Sequence, residues 1–324
     1  MAPRRRLTVT APQFRWFGLA SFVSMVVIVL TGGAVRLTGS GLGCPDWPTC
    51  YGHRLTGSWS IHPLIEYSNR IVTILLVLVT VATLIAAWQR DERRRDLVGL
   101  AGLLVGGVFA DAVLGAFVVY SRLNPWLVSL HMVLSIGMVV VGAVLYHRSK
   151  YVYGPGARAD VRDPHFRLIA RLLWIPFALV VLAGTAATGS GPHAGSSQGQ
   201  LVARRLPFSF ADAAWAHSVL AMLFLGVVAG LAVSVWRAEV PLAMRNGVRR
   251  LVLTALAQAV LGFAQYATHV PVVLVELHIA GAVSLAIGVT QFHVKQTAHD
   301  RVPGTRRTDR AAAGALAPTP APLT

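Results

Sequence analysis

Eight long apolar runs constrain this chain more than any other feature of its sequence. Each is about 20 residues long, the length of α-helix needed to cross the hydrocarbon core of a bilayer. Hydrophobic residues make up 55% of the 324 residues and charged residues only 13%, too little charge for the surface of a soluble protein of this size. We therefore expect an all-α integral membrane protein with spans near residues 16–34, 71–88, 97–120, 126–146, 168–188, 214–236, 248–267 and 270–292.

The net charge of +16 is distributed over the loops in a regular way. Lys and Arg concentrate in every second loop and in both terminal segments, whereas a nucleic-acid-binding protein gathers them on one face of a soluble domain. By the positive-inside rule both termini are cytoplasmic, and the long loops 35–69 and 189–213 lie outside. We expect a multi-pass protein of the cell membrane with no nucleic-acid partner.

The first apolar run could also be a cleaved signal peptide, because Arg4, Arg5 and Arg6 precede it. The run is long for the apolar core of a signal peptide, and no clean small-residue cleavage site follows it. We predict a retained helix preceded by a cytoplasmic segment, 1–15. The Ala/Pro-rich composition near the other end predicts a disordered cytoplasmic tail, 294–324.

The chain contains an internal repeat with an offset near 148 residues. Because each copy has an even number of spans, both copies insert the same way up, and a pseudo-twofold axis runs along the membrane normal. We predict two tandem four-helix bundles, 16–150 and 168–293, joined by a cytoplasmic linker, 151–167. The matches that define the repeat are Thr38-Gly39-Ser40-Gly41 with Thr188-Gly189-Ser190-Gly191, Trp88 with Trp236, Ala112-Val113-Leu114-Gly115 with Ala259-Val260-Leu261-Gly262, and His131 with His278.

Two helix positions in each copy are candidates for iron ligands. One opens the second span of a copy, and the other lies early in its fourth span. The second copy has His217 and His278 there, whereas the first has Asn69 and His131. Histidines that project from different helices into a bundle can hold a haem iron from both faces. Unrelated packing histidines are the alternative, and zinc is less favoured because no third or fourth ligand recurs.

The first copy also has a charged pair beside its candidate ligand position. Glu66, Asn69 and Arg70 share one helix face if the helix has already begun there. Glu66 matches Ala214 in the second copy and Arg70 matches Ser218, so both charges belong to one half only. A carboxylate at the membrane boundary is a candidate reactive group, and an exposed helix-start carboxylate is the alternative. Arg70 would bind a haem propionate or pair with Glu66.

Four further residues are candidates for smaller roles. Cys44 and Cys50 lie in the first external loop, where a disulfide is favoured over a reduced metal pair. The disulfide would either brace the loop or take part in haem handling. His62 is a reserve ligand for the half in which Asn69 takes the ligand position. Asp111, inside the third span, is interpreted as a polar packing residue.

These motifs resemble those of the haem A synthase family. The resemblance rests on TGGAVRLTGSGLGCPDWPTCYG after the first run, on IEYSNR before the second, and on the histidines of the fourth, sixth and eighth spans. It extends to about Phe292. The Cys pair is similar to the bacterial class with an external disulfide, and the Arg- and Ala-rich character is similar to actinobacterial members. The family pattern usually has a histidine where Asn69 stands, and asparagine is a poor iron ligand.

The resemblance implies a membrane oxidoreductase of two four-helix halves. It would oxidise the C8 methyl of haem O to a formyl group by successive hydroxylations, giving haem A for terminal oxidases. A haem O synthase, a membrane electron acceptor and the lipid bilayer are the expected partners. The site residues that it implies are Glu66 as the catalytic group, His131, Asn69 and Arg70 at the substrate haem, and His217 and His278 at the iron of a haem b cofactor.

Two other functions fit the pattern of spans. A non-catalytic dihaem electron-transfer protein of the b type would have two bis-histidine sites, which Asn69 and Glu66 disfavour. A transporter built from parallel repeats would have charged or helix-breaking residues at the middle of the membrane. Apart from Asp111, the polar residues that match between the copies lie near the outer ends of the spans.

Overall fold

The computed structural model describes residues 8–52, 60–150, 163–196 and 203–297. Eight segments of this described part are long and apolar enough to cross a membrane, because α5 and α6 together form one of them. The all-α membrane fold predicted from the apolar runs is therefore confirmed. The helices are α1 Ala11–Leu37, α2 Ile61–Trp88, α3 Arg95–Tyr120, α4 Pro125–Ser149, α5 Pro164–Leu172, α6 Trp174–Ser190, α7 Phe210–Arg237, α8 Leu242–Ala267 and α9 Val272–Thr297.

Several helices begin earlier than the apolar runs do. The clearest case is α2, which starts at Ile61 instead of near residue 71. Polar residues in its first turns lower the local hydropathy but do not end the helix, because its backbone groups bond to one another. As a result Glu66, Asn69 and Arg70 lie inside α2, and the predicted loop before it is shorter than expected. Most of the predicted linker and of the predicted disordered tail lies outside the described residues.

The fifth span is broken near one end. α5 ends at Leu172, α6 begins at Trp174, and Pro176 stands in the first turn of α6. The proline ring has no N–H and conflicts with the carbonyl four residues earlier, so the helical hydrogen-bond ladder is interrupted at Leu172. The short helix α5 packs on the end of α9, where the Ala170 carbonyl lies 3.1 Å from His293 Nδ1.

The helices pack as two rings that meet along a pseudo-twofold axis. Within each half, helices that follow one another in sequence pack together, and α1 also packs on α4. Between the halves, α4 packs against α9, while α4 meets α6 and α9 meets α1. This reciprocal pattern is what a twofold axis between α4 and α9 produces, so the predicted tandem arrangement is confirmed.

Apolar side chains occupy both the interior and the outer surface of the bundle. Phe14, Leu97 and Leu104 are buried in the first half, and Leu173 and Val248 in the second. Many large apolar side chains point outward along the spans, which a surface in contact with lipid requires. Examples are Trp16 (71% exposed), Phe109 (70%) and Val260 (70%).

Two turns with the same unusual backbone precede the helices that carry His131 and His278. Arg122 and Leu123 before α4 have φ of 53° and 59°, and His269 and Val270 before α9 both have φ of 61°. Left-handed conformations are rare in residues other than glycine and rarest in β-branched ones. The same cap bond closes both turns, from Leu123 N–H to the Val118 carbonyl at 2.8 Å and from Val270 N–H to the Gln265 carbonyl at 2.6 Å.

Candidate functional site

A carboxylate and a guanidinium are paired near the start of α2. Glu66 is only 5% exposed. Its Oε1 accepts from Arg70 Nη2 at 2.6 Å, and its Oε2 accepts from the Cys44 backbone N–H at 2.8 Å. The pair forms because residues four apart face the same side of a helix, which the sequence predicted on condition that α2 had begun. Both oxygens of the buried carboxylate thus have a donor.

Arg70 also holds the loop that precedes α2. Of the two roles considered for it, the ion pair with Glu66 is present in this geometry. A haem propionate would have to displace contacts that the guanidinium already makes. Besides Glu66, it donates to four backbone carbonyls, those of Cys44 (3.4 Å), Asp46 (2.6 Å), Pro48 (3.2 Å) and Thr49 (2.7 Å).

Cys44 and Cys50 form a disulfide in this loop, as the sequence predicted. Both cysteines are fully buried. The Tyr120 hydroxyl donates to the carbonyl of Trp47 at 2.9 Å, which attaches the loop to the end of α3. We call the side of the bundle that carries residues 38–52 the loop side. The disulfide loop lies directly on Glu66 through the N–H of Cys44.

Asn69 and His62 lie on the same helix at different depths. Thr31 Oγ donates to Asn69 Oδ1 at 2.7 Å, so the amide oxygen is bonded to α1. His62 comes seven residues earlier, about 10 Å along the helix axis, and its Nδ1 lies 3.0 Å from Ser40 Oγ. His62 therefore lies at the loop-side end of α2 and is not beside Asn69. A ligand role for His62 would need a different placement of the iron.

His131 lies on α4, which stands across the first ring from α2. Its Nδ1 is 2.8 Å from Asp111 Oδ1 on α3. The interpretation of Asp111 as a packing residue missed this contact, because the contact depends on how α3 is aligned against α4. One signal was available in the sequence. Asp111 stands one helical turn before Gly115, the last residue of a repeated motif. The structure shows why this face matters, since a Cβ on Gly115 would lie 3.5 Å from His131 Cε1.

His217 and His278 approach each other inside the second ring. Their ring centroids are 6.1 Å apart, and the ring planes cross at 76°. His217 Nδ1 lies 3.1 Å from the Val180 carbonyl on α6. A carbonyl only accepts, so Nδ1 is the protonated nitrogen and Nε2 is available to a metal. The Nδ1 of His278 is buried and has no hydrogen-bond partner within the described part of the chain.

The spacing of these two rings fits a haem iron between them. A metal–nitrogen bond of about 2 Å on each side, with the half-width of each imidazole, separates two axial ring centroids by about 6 Å. Glycines lie against both rings, since a Cβ on Gly184 would be 3.0 Å from His217 and one on Gly262 would be 3.4 Å from His278. Across the described ranges no group of three or more His, Cys, Asp or Glu side chains could hold a bare metal ion. A porphyrin supplies the remaining four ligands of its iron, so two histidines suffice.

A polar contact between the halves on the loop side was not indicated by the sequence. Arg36, at the end of α1, donates to the carbonyls of His193 at 2.9 Å and Thr188 at 3.1 Å. His193 Nε2 in turn lies 2.8 Å from the Val270 carbonyl. His193 therefore connects the second half's loop to the turn before α9. These contacts fix the two rings to each other beside the candidate sites.

Comparison with known proteins points to one family. The model of COX15-CtaA, described as a cytochrome oxidase assembly protein, matches residues 15–289. The Heme A synthase of Staphylococcus epidermidis is 31% identical over 125 residues, which are 38% of this chain and 41% of that protein. That of Staphylococcus saprophyticus is 32% identical over 125 residues, with the same shares of 38% and 41%. That of Staphylococcus aureus is 26% identical over 191 residues, covering 57% of this chain and 60% of that protein.

The aligned segments thus span from 41% to 60% of these three relatives, less than two thirds of their length. The family match is broader, because it begins inside α1 and ends inside α9. The disulfide loop, the Glu66–Arg70 pair and all candidate histidines lie within it. This chain therefore belongs to the COX15-CtaA family of cytochrome oxidase assembly proteins.

Proposed function

We propose that this protein is a haem A synthase, which oxidises the C8 methyl of haem O to a formyl group. One observation carries the proposal: two halves of the same fold have unequal chemistry. The second half has two facing histidines, His217 and His278, whereas the first has one candidate ligand, His131, and a buried Glu66–Arg70 pair. A protein that only moves electrons has no use for a positioned carboxylate in one half. The similarity to proteins named Heme A synthase supports the same conclusion.

In the first half, Glu66 would lie at the reacting methyl group of the substrate. Arg70 and the Cys44 N–H hold its carboxylate in place before the substrate binds, so little reorganisation is needed during the reaction. The carboxylate would stabilise positive charge that develops on the methyl carbon, or hold the attacking water. His131 would bind the iron of the substrate haem from one face. Asn69 and Arg70 would also lie at the substrate-haem site.

In the second half, His217 and His278 would hold a resident haem b. When bound there, haem b would supply a one-electron carrier for electrons taken from the substrate. The chain's own part is to bind and orient. The Val180 carbonyl fixes the ring of His217, and Gly184 and Gly262 leave room beside the two imidazoles.

The oxidation balances as two hydroxylations of the same carbon. Each replaces a C–H bond by a C–O bond to an oxygen from water, and each releases two protons and two electrons. The geminal diol then loses water to give the aldehyde. The electrons pass to an acceptor in the membrane, and a haem O synthase supplies the substrate.

The charge distribution supports a placement in the cell membrane. Lys and Arg concentrate in the loops on the side of the termini, which predicts cytoplasmic termini and an external disulfide loop. A disulfide is stable in an oxidising compartment, which agrees with that orientation. Glu66 would then act near the external face.

The test is extraction of pigments from purified wild type, Glu66→Gln and the control Glu92→Gln. Glu92 is an exposed carboxylate in the loop after α2, on the side opposite Glu66. Chromatography and mass measurement should find haem b in all three proteins. Haem A should occur in the wild type and the control, and Glu66→Gln should instead accumulate haem O or a hydroxylated intermediate.

Other outcomes would favour the competing functions. Haem b alone in all three proteins would support a non-catalytic dihaem b-type electron-transfer protein. No haem in any well-folded preparation would contradict the haem hypothesis and favour a transporter.

A further inference from the structure

Asp111 on α3 contacts the candidate iron ligand of the first half. Its Oδ1 lies 2.8 Å from His131 Nδ1, and its Oδ2 accepts a hydrogen bond from Ser135 Oγ at 2.6 Å. The first contact is at ion-pair distance without the alignment of a linear hydrogen bond, and neither of its atoms has another hydrogen-bond partner in the described chain. Ser135 comes one turn after His131, so α4 presents both side chains to one carboxylate.

The contact arises from a helix face that both halves share. Gly115 comes one turn after Asp111, and a Cβ there would lie 3.5 Å from His131 Cε1. Gly262 has the same relation to His278, at 3.4 Å. In each half the glycine leaves room for the imidazole. The residue four positions before each glycine then determines which contact is made with the helix that carries the histidine.

In the second half, α8 contacts the helix that carries the histidine in a different way. Gln258 Nε2 donates to the backbone carbonyl of His278 at 3.0 Å and occupies the space where a Cβ of Gly281 would be. The imidazole Nδ1 of His278 is left without a partner among the described residues. Three neighbouring positions therefore differ together, with Asp111, Leu134 and Ser135 in the first half against Gln258, Gly281 and Ala282 in the second.

A packing role does not account for a carboxylate at this position. Asp111 lies within a membrane-spanning helix, and its side chain is 16% exposed. Ionisable groups inside a membrane are costly and mark functional positions. An amide joins α8 to α9 in the second half, where Gln258 does so without a charge. A charge is therefore needed only if it acts on a neighbouring group. The group that the carboxylate contacts is the imidazole of His131.

We propose that Asp111 is a positioning residue that acts through His131 on the iron of the haem bound in the first half. A carboxylate oxygen 2.8 Å from Nδ1 favours the tautomer with the proton on that nitrogen, which leaves Nε2 for the iron, and its charge makes the imidazole a stronger electron donor. The inference rests on the proposed function only in that a haem binds at His131. It also explains the difference between the halves. His278 can share an iron with His217, whereas His131 faces a half in which Asn69 is a weak ligand.

The test compares Asp111→Asn, Asp111→Glu and Ser135→Ala with the exposed control Asp91→Asn. Each change is made in the full chain carrying His278→Ala, and the purified proteins are titrated with haem b. We expect Asp111→Asn to bind haem about 10- to 100-fold more weakly. The reduction potential of the bound haem should shift upward, because the ferric iron loses electron donation. Asp111→Glu should restore part of both properties, and Ser135→Ala should shift them less.

The results separate the positioning role from the proposed function. Unchanged affinity and potential in Asp111→Asn would overturn the positioning role and leave the synthase proposal standing. If the titrated haem does not depend on His131, as judged from His131→Ala, both proposals fail. The same Asp111 variants with an intact His278 report on folding through the second-half haem. Loss of that haem in Asp111→Asn would make the residue structural and would also overturn the inference.

Discussion

The backbone N–H of Cys44 donates to Glu66 Oε2 at 2.8 Å, which joins the disulfide loop to the candidate catalytic carboxylate. The acid is therefore held from two directions, by Arg70 on its own helix and by the loop above it. Changes to the loop should act on the chemistry of the first half, although no loop side chain needs to touch the substrate.

Replacing both Cys44 and Cys50 by serine should weaken the site before it unfolds the protein. The cross-link spans a sequence separation of 6. Its loss should cost about 2 kcal/mol by the loop-entropy estimate. The melting temperature in detergent should fall, and the fraction of haem A should drop while haem b stays bound. Reductant added during expression of the wild type should lower the fraction of haem A in the same way. Normal haem A content in the double variant would contradict the link between the disulfide loop and the site at Glu66.

Arg70→Ala should be more damaging than the removal of both charges together. The single change leaves a buried carboxylate without its cation, which costs about 3–5 kcal/mol. Arg70→Ala with Glu66→Gln should recover much of that loss, because no buried charge is then left unpaired. Thermal unfolding of the wild type, both single variants and the double variant gives the coupling free energy. A coupling near zero would show that the loop carbonyls hold Arg70 without help from Glu66.

His217→Ala and His278→Ala should each remove the resident haem. If His217 and His278 hold one haem iron between them, the loss of either imidazole should leave the group weakly held. The absorbance of the purified protein should fall by the contribution of one bis-histidine haem. His165→Ala, at an exposed position near the start of α5, is the control and should keep the wild-type spectrum.

Gly184→Ala should disturb the second-half haem through a single methyl group. A Cβ at this position would come 3.0 Å from His217 Cε1, so the ring must shift. Gly226→Ala on α7 is the matched control, because no atom lies within 4 Å of its added Cβ. The control should unfold at the same or a higher temperature, because alanine in a helix is more favourable than glycine by up to about 1 kcal/mol. Equal haem spectra for the two variants would show that the ring of His217 adapts freely.

Asn69→His should change how the first-half haem is held. Histidine is a strong iron ligand and asparagine is a weak one. If Asn69 lies opposite His131 across the bound haem, the variant should convert that haem to a six-coordinate, low-spin form, seen by electron paramagnetic resonance. Thr31→Val is the companion variant. It removes the hydrogen bond to Asn69 without adding a ligand, and the spin state should not change.

The sequence predicted those features that depend on length and repetition. Eight spans follow from apolar length, and the tandem halves follow from matches such as His131 with His278. The start of α2 was placed about ten residues too late, because Glu66 and Arg70 satisfy each other and hydropathy treats them as two unpaired charges. Hydropathy likewise gave no sign of the break at Pro176 within the fifth span.

The parts of the site that were missed depend on how one helix is aligned against another. The contact of Asp111 with His131 and the bond of Thr31 to Asn69 both join different helices. Sequence spacing describes residues on one helix, so it predicted that Glu66 and Arg70 share a helix face and could not predict these contacts. The reach of Arg36 to His193 needs the relative placement of the two halves, which no single run of residues encodes.

The left-handed turns before α4 and α9 lie at the same distance along the chain from the histidines that follow them. His131 follows Leu123 by eight residues, and His278 follows Val270 by the same number. Since the two turns have the same backbone conformation and the same cap hydrogen bond, they place the two histidines at corresponding positions in their helices. After duplication, one copy could acquire an acid, an aspartate partner and a disulfide while its histidine stayed at the original level. Two different tasks can then share one membrane plane within a single chain.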